Sequence, residues 1–423
     1  MIKEQKPQRF SQKKNRNRSV GNHRNRCSGQ EYRFMAEEKK EVCRSCNFQK
    51  KCGGCQYQGM AYEEQLERKY RLVKRLIGPF CPVEPVAGMY YPYYYRNKVH
   101  RVFGLDKKGH PIYGIYKQGT HDIIQVKDCL IEDRQCQKIM DTIWSLLPSF
   151  KIRTYEEDSE RGFLRHVIVR RAVATGQVMV VLVTAEITWP GAKNFVKVLR
   201  EKHPEITTIV QNVNPKRTTF LLGDRNKVLF GPGRILDRLM GLSFAISPAS
   251  FYQVNPKQTE VLYRLAIEAA NLQPGERVLD AYCGIGTIGM SAAAVTKNPV
   301  IGVELNSDAV RDAIGNAKAN QLKNIRFVCA DATEWMEQAA AAGEKIDVVF
   351  LDPPRSGSTD SFIRSLAKLA PKRVVYISCG VDTLARDLKT FRKQGYEAVR
   401  DWPVDMFPGT EGHIENVVLL ERE

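Results

Sequence analysis

The sequence predicts an α/β protein whose residues 246–423 form a parallel, doubly wound sheet, and three observations predict it. Short apolar runs, "RVLDAYCG", "PVIGVELN", "IRFVCAD", "DVVFLDPP" and "RVVYISC", are separated by helix-length segments. Such alternation marks parallel strands buried on both faces. The first run leads through Gly284-x-Gly286-x-x-Gly289 into a helix, and the later runs end on Glu304, Asp331, Asp352 and Cys379. Polar groups collected at strand ends fit the ligand edge of an open α/β sheet. At 423 residues the chain is also too long for one ordinary core and divides into several domains.

Taken in order, residues 1–40 carry twelve Lys or Arg against four Glu and few apolar side chains, which predicts a disordered basic tail. Residues 41–80 hold "CRSCNFQKKCGGC" and then "AYEEQLERKYRLVKRLIG", where Leu66, Tyr70, Val73 and Ile77 recur at helical spacing. Residues 81–245 read as a central mixed α/β domain. "KVHRVFGLDKKGHPIYGIYK" gives two strands around a Lys-Gly turn, and "RHVIVRRAVATGQVMVVLVTAE" a hairpin turning at Thr175-Gly176. "YYPYYYRNKVHR" interleaves aromatic rings with cations. Most of these rings are expected beneath a sheet, with Arg96 and Lys98 left to contact RNA.

Composition narrows the function classes. The formal net charge of +18 points to a polyanionic partner. No apolar run is long enough to cross a bilayer, and the basic start has no apolar signal core, so neither a membrane role nor secretion is expected. The eleven cysteines are then expected as thiols in a reducing cytoplasm. The four at Cys43, Cys46, Cys52 and Cys55 suggest a metal, with zinc and iron–sulfur both open on the residues alone.

The glycine turn alone fits a dinucleotide as well as S-adenosylmethionine, because both need a close backbone approach and a carboxylate for the ribose. The following strand ends favour S-adenosylmethionine. Asp331 in "CADA" is placed to meet an adenine amino group, and "LDPPR" sets Asp352 before two prolines that make a rigid wall for a planar base. "YISCG" then puts Cys379 where chain leaves strand for helix, a position expected to favour the thiolate. Cys329, in "RFVCAD", reads instead as a small core residue. Carbon 5 of uracil needs a thiolate at C6 before it can attack a methyl sulfonium, and a base to remove its proton afterwards. Glu415 in "GTEGHIENVVLL" is the expected base, with Glu411 and His413 nearby.

These stretches, with "YRNKV", "VKDC" and "SFYQVN", resemble the RNA uracil-5-methyltransferases over residues 43–423, and specifically their iron–sulfur 23S rRNA branch. The resemblance implies a class I, Rossmann-like S-adenosylmethionine methyltransferase domain behind the central domain. It also implies methylation of a 23S rRNA uridine in the cytoplasm, with no obligate protein partner. Gln253, Tyr282, Gly284, Thr287, Glu304, Asp331 and Asp352 would line the cofactor and base pocket, Cys379 would be the nucleophile and Glu415 the base. Cys46, Cys52, Cys55 and Cys129 would hold a 4Fe-4S cluster, leaving Cys43 spare. The oligonucleotide-binding (TRAM) barrel of some members is not expected, because only the basic tail precedes the cysteines. Gly380-Val381 follows Cys379 where the family usually has Asn-Pro. The competing expectations are a tRNA uridine C5 methyltransferase, a methyltransferase for an exocyclic amine, and a zinc-ribbon RNA-binding protein without catalysis.

Overall fold

The computed structural model describes residues 44–422 except 158 and 217–219, so the basic tail and Cys43 lie outside the described residues. A single-turn helix α1 (Gln49–Cys52) ends at Gly53, whose left-handed φ of 67° reverses the chain toward Cys55. Helix α2 (Tyr62–Ile77) follows. The expected apolar stripe is only half right: the buried positions are Gln65, Lys69, Val73 and Ile77. Val73 and Ile77 join the core of the C-terminal sheet beside Leu384, Leu388 and Ile414.

The central sheet is built from β1 (Lys98–Leu105), β2 (Pro111–Tyr116), β3 (Ile123–Ile124), helix α3 (Arg134–Leu146), β4 (Leu164–Arg171), β5 (Val178–Thr184), helix α4 (Ala192–Lys202), β6 (Ile206–Val213) and β7 (Arg225–Phe230). Its strand order is β3-β2-β1-β4-β5-β6-β7. Both hairpins expected from the sequence are present, β1 with β2 and β4 with β5. Among the described residues only β5 and β6 of this sheet run parallel, because α4 provides the crossover between them. Helices α3 and α4 cover one face through Ile139, Ile143, Phe195 and Leu199.

A hairpin of β8 (Ile235–Leu239) and β9 (Leu242–Ile246) leads into the C-terminal part. Its Ile235, Phe244 and Ile246 pack in the same core as Val278 and Val375 of the following sheet. That sheet is assembled from helix α5 (Pro256–Ala270), β10 (Val278–Ala281), α6 (Thr287–Thr296), β11 (Val300–Glu304), α7 (Ser307–Ala319), β12 (Ile325–Cys329), α8 (Ala332–Ala341), β13 (Val348–Leu351), α9 (Asp360–Leu369), β14 (Arg373–Ser378), α10 (Val381–Lys393), β15 (Tyr396–Val404) and β16 (Glu415–Arg422). Among the described residues its order is β12-β11-β10-β13-β14-β16-β15.

Strands β10 to β14 are parallel, as the alternation predicts. A sixth apolar run, which no helix-length alternation covers, forms β16 and runs antiparallel between β14 and β15. Strand β15 carries Arg400, Asp401 and Pro403, a composition that hides a strand, yet an edge position tolerates the proline. The reversal matters for the site. It brings the start of β16 to the same edge as the ends of the parallel strands.

Candidate active site and cysteine cavity

Order reverses between β10 and β13, which opens the crevice where doubly wound sheets receive ligands. The loop after β10 is shaped by backbone freedom at Tyr282, Gly284 and Gly286, with φ of 66°, 54° and 85°. A Cβ on Gly289 would sit 2.8 Å from Asp280 Oδ2, which accepts the Gly289 N–H at 2.7 Å. Asp280 is thus a buried brace under the turn, and burial pushes its carboxyl up to about 7. The sequence reading gave it no role, although an acid inside "VLDA" was the available signal.

Along the edge, Glu304 Oε2 accepts from Gly284 N–H at 3.0 Å and Oε1 from Asn306 N–H at 2.8 Å, which holds the carboxylate over the glycine turn. Asp331 caps α8, taking Thr333 N–H and Glu334 N–H through Oδ1. Thr287 Oγ1 lies 2.9 Å from the buried Tyr263 hydroxyl, and Tyr282 stacks on Phe362 with centroids 5.1 Å apart. Gln253 is buried in the segment before α5. A carboxylate, an open glycine turn and an apolar wall suit a nucleoside joined to a cationic tail, so the residues present fit S-adenosylmethionine.

Next along the edge, Ala281 pairs with Leu351 and Ser378 with Asn416. One step beyond these pairs, Tyr282 and Asp352 come abreast, and so do Cys379 and Glu415. Asp352 and Glu415 are both raised above ordinary carboxylates, foremost by burial, and Glu415 further by the Asp352 charge. Arg355 of "LDPPR" opposes the rise of both Glu415 and Cys379, a part the sequence reading had not given it.

The expected preformed thiolate is corrected: burial and then the Glu415 and Asp352 charges push Cys379 up to about 11. The helix that Cys379 precedes does not outweigh burial and two carboxylates. Glu411 is exposed and His413 only half-buried, so Glu415 is the buried acid of that segment. Cys329 is exposed, against the expectation of a core residue, because β12 is an edge strand.

The tyrosine segment also departs from expectation. Tyr90 and Tyr91 are 71% and 38% exposed, and only Tyr95 is buried, its hydroxyl donating to Pro408 O at 3.0 Å. Tyr91, Tyr93 and Tyr94 line a cleft of about 660 Å³ with Arg134, Lys138 and Lys257. The Arg134 guanidinium lies 4.1 Å from the Tyr94 centroid, and Arg44 stands 5.1 Å from that of Tyr93. Arg96 and Lys98 are both partly buried; Arg96 stacks toward Phe407, and burial lowers the Lys98 ammonium to about 8.

Cys46, Cys52, Cys55 and Cys129 line one small cavity with Phe48, Val126, Leu130 and Ile131. Gln137 brackets the last of them, accepting Cys129 N–H at 2.8 Å and donating to Cys129 O at 2.9 Å. Burial raises the Cys52 thiol, Cys55 to about 11 and Cys129 to about 12, with neighbouring thiols adding to each rise. Among the described residues no group of three or more His, Cys, Asp or Glu is placed to hold a metal ion as it stands. Four soft donors converging on an apolar cavity nevertheless fit a thiolate-bound cluster, whose binding would release their protons.

The family model for tRNA (uracil-5-)-methyltransferases matches residues 61–423. The chain belongs to the RNA uracil-5-methyltransferase family. It is 42% identical over 381 residues to an uncharacterized RNA methyltransferase of Halalkalibacterium halodurans, covering 89% of this chain and 82% of that one. A Bacillus cereus protein of the same description is 41% identical over 382 residues. The crystal structure of a Pyrococcus abyssi tRNA (uracil-54, C5)-methyltransferase in complex with S-adenosyl-L-homocysteine is also similar. It superposes with a TM-score of 0.72 at 27% identity, over 87% of this chain and 86% of that one. The uracil-5-methyltransferase is accordingly an S-adenosylmethionine-dependent enzyme acting on RNA. Among the described residues no helix is long and apolar enough to cross a membrane.

Proposed function

We propose that the enzyme methylates carbon 5 of a uridine in 23S rRNA, with Cys379 as nucleophile and Glu415 as base. The observation that carries this reading is the convergence of Cys379, at the end of β14, with buried Glu415, at the start of antiparallel β16. S-adenosylmethionine, held by Glu304, Asp331 and the 284–289 turn, supplies the methyl sulfonium. The Cys379 thiol releases its proton to solvent, the resulting thiolate adds to uracil C6, and the electron pair displaced onto C5 and O4 makes C5 nucleophilic. After C5 is methylated, Glu415 takes the C5 proton. The electron pair left behind restores the C5–C6 double bond and expels the Cys379 thiolate. Burial keeps Glu415 basic enough for that step, and Arg355 steadies the anionic state of both groups.

The tyrosine cleft supports RNA docking, since flat rings beside cations accept bases and phosphates together. The shared cavity of Cys46, Cys52, Cys55 and Cys129 supports a 4Fe-4S cluster that ties α1 to the central domain. The cluster reading, with the resemblance it rests on, favours rRNA. A tRNA substrate is the second reading, favoured by the activity of the Pyrococcus abyssi relative. The enzyme is expected to act in the cytoplasm without an obligate protein partner.

The test offers the enzyme and cofactor a 23S rRNA and a tRNA transcript, each also prepared with 5-fluorouridine. A denaturation-stable adduct at Cys379, and 5-methyluridine in the rRNA only, are expected. Absence of both adduct and product on either RNA refutes the mechanism, and methylation of tRNA alone refutes the substrate. A brown protein with four irons is expected after anaerobic purification; a colourless one with stoichiometric zinc refutes the cluster.

A further inference from the structure

Glu415 pairs with Val404 in the sheet, but the segment that leads into it is held from outside the sheet. Residues 405–413 leave β15 and re-enter at β16; Ala87, Asn255 and Gln258 hold their first two residues, and the rest contact Tyr95, the cysteine segment and α2. Pro408 O accepts the Tyr95 hydroxyl, Gly409 O accepts Tyr57 N–H at 2.9 Å, and Gly409 N–H donates to Gln65 Oε1 at 2.9 Å. Glu411 N–H donates to Gln56 Oε1 at 3.2 Å. Beneath this crown sits Lys69, with its side chain and that of Asp405 both 0% exposed.

The three ammonium protons of Lys69 have three acceptors: Asp405 Oδ1 at 2.7 Å, Phe407 O at 3.0 Å and His413 O at 3.2 Å. These acceptors come from both ends of the loop. Asp405 is fixed in turn by the Tyr62 hydroxyl on its other oxygen at 2.9 Å. One cation therefore ties the loop shut, and His413 lies two residues before Glu415. A buried ammonium is costly to desolvate, and apolar side chains of similar volume often replace such a pair without loss of stability. A structural role alone therefore gives little reason for a charge here.

We propose that Lys69 is a positioning residue for the proton-abstraction step, closing the 405–413 loop so that Glu415 meets the C5 proton of the methylated uracil. The inference rests on the reading of Cys379 and Glu415 given above. It adds a division of labour in which helix α2, through Lys69, governs release of product rather than methyl transfer.

The experiment compares wild type, Lys69→Met, the charge-free pair Lys69→Met/Asp405→Asn, and Glu415→Gln as the benchmark for a missing base. Thermal unfolding and S-adenosylmethionine affinity are measured first. Should the single variant not fold, the double variant, which leaves no unpaired ion, carries the test. Single-turnover reactions with methyl-labelled cofactor and ordinary uridine RNA then follow label in the protein–RNA adduct and in free RNA. The expected result is near-normal cofactor affinity and labelling of the adduct, with release slowed tenfold or more, as in Glu415→Gln. Release at the wild-type rate overturns the proposal, and so does slow turnover with no adduct accumulating. If wild type itself gives neither adduct with 5-fluorouridine RNA nor 5-methyluridine, the reading of Cys379 and Glu415 falls and takes this inference with it. That outcome is distinguishable because it precedes any mutation.

Discussion

The protonation state of Cys379 in the ligand-free enzyme gives a quantitative prediction. Burial and two carboxylates raise this thiol to about 11, whereas an ordinary exposed cysteine titrates near 8.5. At pH 7.5 the thiolate fraction is then roughly 300-fold lower than in a free peptide. A more basic thiolate is intrinsically more reactive, with a Brønsted slope of about 0.4 to 0.5, and this recovers about tenfold. Iodoacetamide should therefore alkylate Cys379 about 30-fold more slowly than a peptide thiol before any loss from its partial burial. Peptide mapping by mass spectrometry over a pH series separates the two causes, because restricted access lowers the rate at every pH but does not move the plateau. The sign is fixed: a raised thiol deprotonates late, so the rate should climb about tenfold per pH unit well past the pH where a peptide thiol has levelled off. Glu415→Gln removes one of the opposing charges and should bring the plateau down. A plateau at or below pH 8 in wild type refutes the reasoning, and would mean that the helix beyond Gly380 controls the thiol after all.

Four further outcomes are expected. Glu304→Gln replaces the charged acceptor over the glycine turn, and losing about 1.5–3 kcal/mol of charge-assisted hydrogen bonding should weaken S-adenosylmethionine binding roughly 10- to 150-fold by calorimetry. Tyr91→Ala should cost about 1–3 kcal/mol of RNA affinity, and Arg134→Ala should lower the slope of log affinity against log salt by about one, both read by filter binding. Asp401 is fully buried, neither of its carboxyl oxygens has a partner among the described residues, and burial holds it well above the usual carboxylate range. Its unfolded form ionises from about pH 4 while its folded form stays protonated. Stability therefore drops by about 1.4 kcal/mol per pH unit from there up to the folded pKa, and Asp401→Asn should abolish that drop in chemical denaturation.

The parallel strands were legible because burial on both faces leaves near-continuous apolar runs, and their ends declared Glu304, Asp331, Asp352 and Cys379 in order. Strand β15 was not legible, since Arg400, Asp401 and Pro403 read as loop, and only pairing with β16 makes them strand. Lys69 was hidden for a related reason. A lysine on a helix reads as solvated, and its partner Asp405 lies more than three hundred residues away. The tyrosines misled in the opposite direction: an aromatic cluster reads as core, whereas cations of the cysteine segment and α3 keep Tyr93 and Tyr94 at a half-open cleft. For Cys379 the position was readable but the chemistry was not, because it is set by burial in the folded sheet and then by carboxylates that arrive from two other strands.

The antiparallel placement of β16 makes the spacing of nucleophile and base a matter of strand alignment. Side chains alternate faces along a strand, so a slip of one residue between β14 and β16 would present Ile414 or Asn416 opposite Cys379 and turn Glu415 away. Two neighbours guard against that slip, because β16 is zipped to β14 on one side and to β15 on the other. The one irregularity, between Ala398 and Arg400, falls in the outer strand and far from Glu415, which pairs with Val404. Register with both neighbours therefore selects Glu415, and no other residue of β16, to face Cys379.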